Sequence, residues 1–180
     1  MNETQSVPAV EKIKAIIRDV PDFPKKGIIF KDITPLLASP EAFRETIKLM
    51  AGKYAGLGIT RVLGIEARGF LLAAPIAIEL GAGLIPVRKK GKLPYKTVAA
   101  SYALEYGQDT LEMHADAVKP GEKVLIVDDV LATGGTAGAV CALVEKLGAE
   151  VAGIAMLIEL EFLKGREKFP GRDLFSLIKY

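Results

Sequence analysis

Two neighbouring carboxylates, Asp128 and Asp129, stand four residues before the run Thr133-Gly134-Gly135-Thr136. The acids follow Val124-Leu125-Ile126-Val127, an apolar, β-branched run too short for a helix and suited to a buried parallel strand. After the glycines, Val140, Cys141, Val144 and Leu147 recur at helical spacing. Strand, small-residue loop and helix in that order aim free amide hydrogens and the positive end of a helix dipole at one point, which seats a phosphate. Carboxylates beside a phosphate would repel it, so the acids suit hydroxyl groups or a hydrated divalent cation instead. Ribose 5-phosphate combines a terminal phosphate with two hydroxyls for Asp128 and Asp129. The loop lacks the Gly-Lys-Ser/Thr ending that reaches β- and γ-phosphates in a triphosphate-binding P-loop.

Other charged groups collect at strand ends and loops. Val62 to Ile65 predicts a strand that delivers Glu66-Ala67-Arg68-Gly69 at its carboxyl end, where ligands of open α/β sheets gather. Arg88-Lys89-Lys90-Gly91-Lys92 is a basic run; such runs are commonly solvated surface, but a multiply charged anion nearby would be stabilised by it. Tyr95 to Gln108 is long for a simple connection and reads as a lid. His114, the only histidine, has no Asp or Ser pattern around it and reads as structural or exposed, and no His/Cys cluster suggests zinc or iron.

Alternating strands and helices must hold these groups. Ser6 reads as the cap of a helix with Pro8 in its first turn and Val10, Ile13, Ile16 and Ile17 on one face. The prolines of residues 21–27 force an extended connection, Ile28 to Phe30 a short strand, and Lys31 to Pro35 a turn. Helices are expected from Ser39-Pro40 to about Ala55 and from Phe70 to Leu80, and strands over 109–113, 150–159 and 174–178. The pattern gives an α/β fold with a parallel sheet covered on both faces and right-handed crossovers.

Composition narrows the function classes. At 180 residues one domain is expected. The 24 Lys plus Arg against 22 Asp plus Glu leave a net charge of +2, too balanced for a nucleic-acid or membrane surface, so the partner is a small molecule. The single cysteine, Cys141, lies on an apolar helix face and implies a reducing compartment. With no apolar stretch of membrane-span length and no basic, apolar leader, the expected location is cytoplasmic.

These residues also carry a resemblance. VLIVDDVLATGGT resembles the segment by which type I phosphoribosyltransferases bind 5-phosphoribosyl 1-diphosphate, and FPKKGIIFKDITPLL resembles the small N-terminal hood of the adenine phosphoribosyltransferases. RKxGKLP, SYxLEYG and LxGREK extend the similarity over nearly the whole chain after about residue 20. The resemblance implies a type I phosphoribosyltransferase fold: a central, mainly parallel sheet flanked by helices in a single domain over 1–180, a hood formed mainly by about 21–37, and a flexible β-ribbon loop. It implies Asp128, Asp129, Ala132, Thr133, Gly134, Gly135 and Thr136 on the phosphoribosyl group, and Ala67, Arg68, Arg88 and Lys92 on the pyrophosphate, the last two acting from one subunit of a homodimer toward the other's site. Ile29 and Lys31 would lend main-chain groups to adenine and Phe30 would stack on it. Some family members carry Arg at the position of Lys31; a main-chain contact survives that change. Glu105 and Arg68 are the implied catalytic residues, with Glu105 near the imidazole edge of the base and Tyr106 in the lid over the donor. Magnesium is implied as the cofactor, held mainly through the donor and water, and the implied reaction joins adenine to the donor to give AMP and pyrophosphate. A phosphoribosyltransferase for another purine, or a regulator that senses the donor without catalysis, would share the same loop.

Overall fold

The computed structural model describes residues 3–103 and 108–180 of the chain. They form two compact units, Met1–Leu49 and Met50–Tyr180.

In the first unit, α1 spans Glu3–Ile16, a turn earlier than the expected Ser6 cap, so Pro8 sits inside the helix. Its missing N–H removes one bond near the helix start, a tolerable loss there. A two-stranded antiparallel ribbon follows, β1 Arg18–Pro21 and β2 Ile29–Asp32. The first of these strands was not expected from the sequence; facing side chains attract across the ribbon, Arg18 pairing with Asp32 at 3.0 Å and Lys31 with Asp19 at 2.7 Å, each pair directly opposite in the register. The turn expected over Lys31 to Pro35 is taken up by the end of β2 and the start of a short helix, α2 Thr34–Ala38, with Pro35 in its first turn. The third helix, α3 Pro40–Gly52, begins where Ser39 Oγ accepts the Ala42 N–H at 3.4 Å and crosses into the second unit.

The second unit is built on a seven-stranded sheet. Its elements are β3 Arg61–Ile65, α4 Arg68–Leu80, β4 Gly83–Lys89, β5 Thr97–Ala103, β6 Gln108–His114, β7 Lys123–Leu131, α5 Gly135–Lys146, β8 Glu150–Glu159 and β9 Leu174–Lys179. The strand order is β5-β6-β4-β3-β7-β8-β9. From β4 to β9 the pairing is parallel, and β5 and β6 form an antiparallel ribbon joined to the end of β4. Central strands read as unbroken apolar runs because both faces are covered: Val124, Leu125, Ile126 and Val127 are all fully buried. Helix α4 packs on β3, β4 and β7, and α5 on β5, β6, β7 and β8.

This order positions the site. The chain leaves β3 through α4 toward β4 on one side, and leaves neighbouring β7 through α5 toward β8 on the other. Two crossovers departing in opposite directions open a crevice at the carboxyl ends of β3 and β7, the place where ligands settle in doubly wound sheets. The loops after those two strands carry Glu66 and Ala67, with Arg68 opening α4, and Ala132 to Gly134.

Candidate active site

Strand β7 continues through both acids to Leu131 instead of ending at them. The reason is asymmetric pairing. On the β3 side the ladder stops at Gly64 opposite Val127, while on the β8 side it runs on through Asp128 opposite Met156 to Leu131 opposite Glu159. The acids are therefore held as strand residues, with one flank released toward the start of α4. There Gly69 approaches so closely that a Cβ would lie 2.8 Å from Asp128 Oδ1 and 3.0 Å from the Val127 carbonyl oxygen. Only glycine lets α4 begin beside the acids.

The loop that follows turns into α5 at Gly134, which has φ +77°, the left-handed region that favours glycine. Gly138 N–H donates to the Gly134 carbonyl at 3.0 Å, the first bond of the helix, so the amides of residues 135–137 precede it and face the loop. A recess of about 290 Å³, partly open to solvent, is lined by Asp128, Ala132, Thr133, Gly134, Gly135 and Thr136 among others. Every phosphoribosyl residue expected from the sequence except Asp129 lines it, and Asp129 is next to it in the chain.

The acids differ in what they touch. Asp128 Oδ1 accepts the backbone N–H of Asp129 at 2.9 Å. Asp129 is 6% exposed and forms an ion pair with Arg68, Nε to Oδ2 at 2.8 Å. That contact lacks hydrogen-bond alignment, so Asp129 Oδ2 is buried with no aligned donor among the described residues. Burial pushes the Asp128 carboxyl well above its ordinary value, and the charge on Asp129 pushes it further. Burial also raises Asp129, against the opposing pull of the Arg68 guanidinium. A buried and a half-buried carboxylate that resist ionising together, with acceptor capacity left over on Asp129, suit hydroxyl groups or a cation-bearing ligand.

Across the crevice, Glu66 gathers the basic run. Its carboxylate receives Lys92 Nζ at 2.6 Å, the Lys89 amide at 3.0 Å and Arg88 Nε at 3.3 Å. Burial works to raise this carboxyl, but Lys92, the Lys89 amide and Arg88 outweigh it and hold it down at about 2. Glu112 Oε2 accepts the Gly91 amide at 2.9 Å, and Arg88 Nη1 donates to the Lys92 carbonyl at 2.9 Å. The basic run is thus a shaped loop with internal counter-charges. In the first unit, Phe30 meets Phe23 edge to face at 5.1 Å, Ile29 is 57% exposed, and the Lys31 side chain is engaged by Asp19.

Residues 32–178 match the family model described as phosphoribosyl transferase domain. The adenine phosphoribosyltransferase of Syntrophotalea carbinolica is 56% identical over 171 residues, covering 95% of this chain and all of that one. The chain belongs to the adenine phosphoribosyltransferases. The crystal structure of the Rhodothermus marinus adenine phosphoribosyltransferase, 53% identical, superposes with a TM-score of 0.93 over 97% of this chain and 99% of that one. A Saccharomyces cerevisiae adenine phosphoribosyltransferase, complexed with adenine and an imino-altritol bisphosphate, is 38% identical with a TM-score of 0.90 over 95% of this chain and 99% of that one. The type I phosphoribosyltransferase fold expected from the sequence, a mainly parallel sheet flanked by helices, is the fold observed.

Within this adenine phosphoribosyltransferase, Arg88 and Lys92, grouped together by the sequence, meet at Glu66, whereas Arg68, grouped with them, pairs with Asp129, which the sequence assigns to the other end of the ligand. Glu105 and Tyr106 lie outside the described residues. Sequence reasoning passed over Glu66 as a site residue, although its place two residues before Arg68 at a strand end was a signal. It also passed over Gly69 and Gly165. Gly165 packs backbone to backbone against the loop of residues 132–134: a Cβ at Gly134 would lie 2.7 Å from the Gly165 carbonyl oxygen.

Proposed function

We propose that the chain transfers the 5-phosphoribosyl group from 5-phosphoribosyl 1-diphosphate to N9 of adenine, forming AMP and releasing pyrophosphate. The observation that carries this reading is the recess after β7, where the amides that open α5 adjoin half-buried Asp128 and, next to it in the chain, buried Asp129 paired with Arg68. The yeast relative complexed with adenine and a bisphosphate supports the same pairing of ligands.

Amides of residues 133–136 hold the 5-phosphate, and Asp128 and Asp129 hold the ribose hydroxyls while their charge favours a cationic sugar at carbon 1. Ala67 and Arg68, with Arg88 and Lys92, receive the departing pyrophosphate. Ile29 and Lys31 read the adenine edge through their main chains, since its amino group and ring nitrogens match a carbonyl and an amide, and Phe30 stacks on the ring. Tyr106 closes over the donor, and Glu105 handles a purine proton. The donor set fits magnesium held chiefly by donor oxygens and water: two carboxylates with spare acceptor capacity are hard oxygen ligands, and among the described residues no group of three or more potential ligands forms a metal cage. Bound there, the ion offsets charge on the leaving pyrophosphate. One functional domain over 1–180 working as a homodimer in the cytoplasm completes the reading; no described helix is long and apolar enough to cross a membrane, and Cys141 is a buried free thiol.

The test is competition among adenine, hypoxanthine, guanine, xanthine and orotate with the donor and magnesium. Adenine should win, and preference for another base would remove the substrate assignment while sparing the donor site. Glu105→Gln and Glu105→Leu both turning over at the wild-type rate would take Glu105 out of the chemistry, and a monomer by size-exclusion light scattering would take out the dimer.

A further inference from the structure

Strand β8 ends on Glu159, which is 3% exposed. A buried carboxylate at a strand end needs a partner, and Arg166 supplies a two-pronged one: Nε to Oε1 at 2.9 Å and Nη2 to Oε2 at 2.5 Å. The same guanidinium donates from Nη1 to the Leu174 carbonyl at 2.7 Å and from Nη2 to Ser176 Oγ at 3.2 Å, both on β9. Arg166 is therefore fixed to two strands. Its chain neighbour Gly165 is buried and is fixed with it.

Gly165 is where this anchorage reaches the phosphate loop. A Cβ on it would collide with the Ala132 carbonyl oxygen and lie 3.0 Å from the Gly134 nitrogen. From the other side, a Cβ on Gly134 would meet Phe169 Cε2 at 3.0 Å as well as the Gly165 carbonyl. The loop thus leans on the peptide of Gly165, with the Phe169 ring beside it. A loop that binds through backbone amides holds its shape only as well as what stands behind it.

We infer that Arg166, anchored by Glu159, is a positioning residue for the phosphate loop, setting the Gly165 peptide as the wall that keeps residues 132–134 in their phosphate-accepting shape. The inference rests on the reading of this loop as the 5-phosphate site. It separates two roles for the segment after β8, because a clamp that only stabilised the fold would affect both substrates alike.

The test measures binding of ribose 5-phosphate by calorimetry and the KM of donor and of adenine separately, in Arg166→Lys and Gly165→Ala. Arg166→Lys keeps the charge and loses the fork; ribose 5-phosphate should bind about tenfold more weakly, the scale of one lost charge-assisted pair, with adenine KM within about twofold. Gly165→Ala leaves Arg166 and Glu159 in place and pushes on the loop directly, so it gives the answer if Arg166→Lys does not fold. Wild-type affinity for ribose 5-phosphate in the variants that fold, or equal weakening of both substrates, overturns the inference. Gly134→Ala is the control for the underlying reading: if it also binds ribose 5-phosphate like wild type, the loop is not the phosphate site and the inference falls with it. If Gly134→Ala alone is impaired, only the role of Arg166 falls.

Discussion

The two regions proposed to hold the donor's phosphate and its pyrophosphate are built from different materials. After β7, the loop of residues 132–136 offers peptide amides at a helix start, with Gly134 in the left-handed region and Gly165 packed behind it. After β3 and β4, the groups are side-chain cations, and each is matched by a carboxylate of the same chain: Arg68 by Asp129, Arg88 and Lys92 by Glu66. Backbone amides have a fixed direction and need little counter-charge, which suits a group that must stay put. Long cationic side chains can exchange partners, which suits a group that must leave. The contrast matches a donor whose phosphate remains with the sugar while its pyrophosphate departs.

The sharpest way to break this contrast is Arg68→Met, which removes a cation proposed to receive the pyrophosphate and leaves buried Asp129 without its Arg68 partner. It should lower kcat/KM by about 10²- to 10³-fold, the cost of losing one well-placed electrostatic group, in steady-state kinetics with saturating magnesium. A loss of less than about threefold would mean that the cation side contributes little to the chemistry. Next in size is Gly134→Ala: strain at φ +77° and contact with Gly165 should destabilise the fold by about 1–3 kcal/mol in urea denaturation, with weaker donor binding and unchanged adenine KM. Lys92→Met should raise donor KM by about tenfold and flatten its dependence on salt, whereas ribose 5-phosphate binding should depend on salt only weakly in both proteins. Equal salt dependence at the two regions would erase the distinction drawn between them.

Two pH experiments sharpen it further. The Asp128 and Asp129 carboxyls are raised above their ordinary 3.8 in the free protein, so the acidic limb of log kcat/KM should lie above that value, and loss of donor binding should follow it. The smallest effect concerns Glu66. Its carboxyl is held at about 2 against an ordinary 4.5, so its contacts stabilise the fold fully above pH 4.5. That contribution declines as pH falls from 4.5 through about 2. The stability gap between wild type and Glu66→Gln should follow the same window; a gap that widens toward acid would contradict the assignment.

Much of the phosphate side was legible in the sequence because it depends on local order. A β-branched run, two acids, two glycines and a helical apolar pattern dictate strand, loop and helix before any tertiary contact forms. The extent of β7 was not legible, since Asp128 to Leu131 are strand residues only because β8 pairs with them after β3 has stopped. The first strand of the hood ribbon was not legible either, because it forms only where Arg18 and Asp32, fourteen residues apart in the chain, face each other. Glu66 was read past for a similar reason: its function shows only when Arg88 and Lys92, more than twenty residues on, are brought to it. Gly165 left no local trace, because nothing in LxGREK says that its peptide will press against residue 134.

The carboxylates already facing Arg68, Arg88 and Lys92 have an effect beyond shape. A crevice whose cations are neutralised from within is a poor trap for stray anions such as chloride or inorganic phosphate, which would have to displace a tethered competitor one ion at a time. A multidentate diphosphate trades several internal contacts for several external ones in a single event, so the vacant enzyme discriminates by valency before it discriminates by shape.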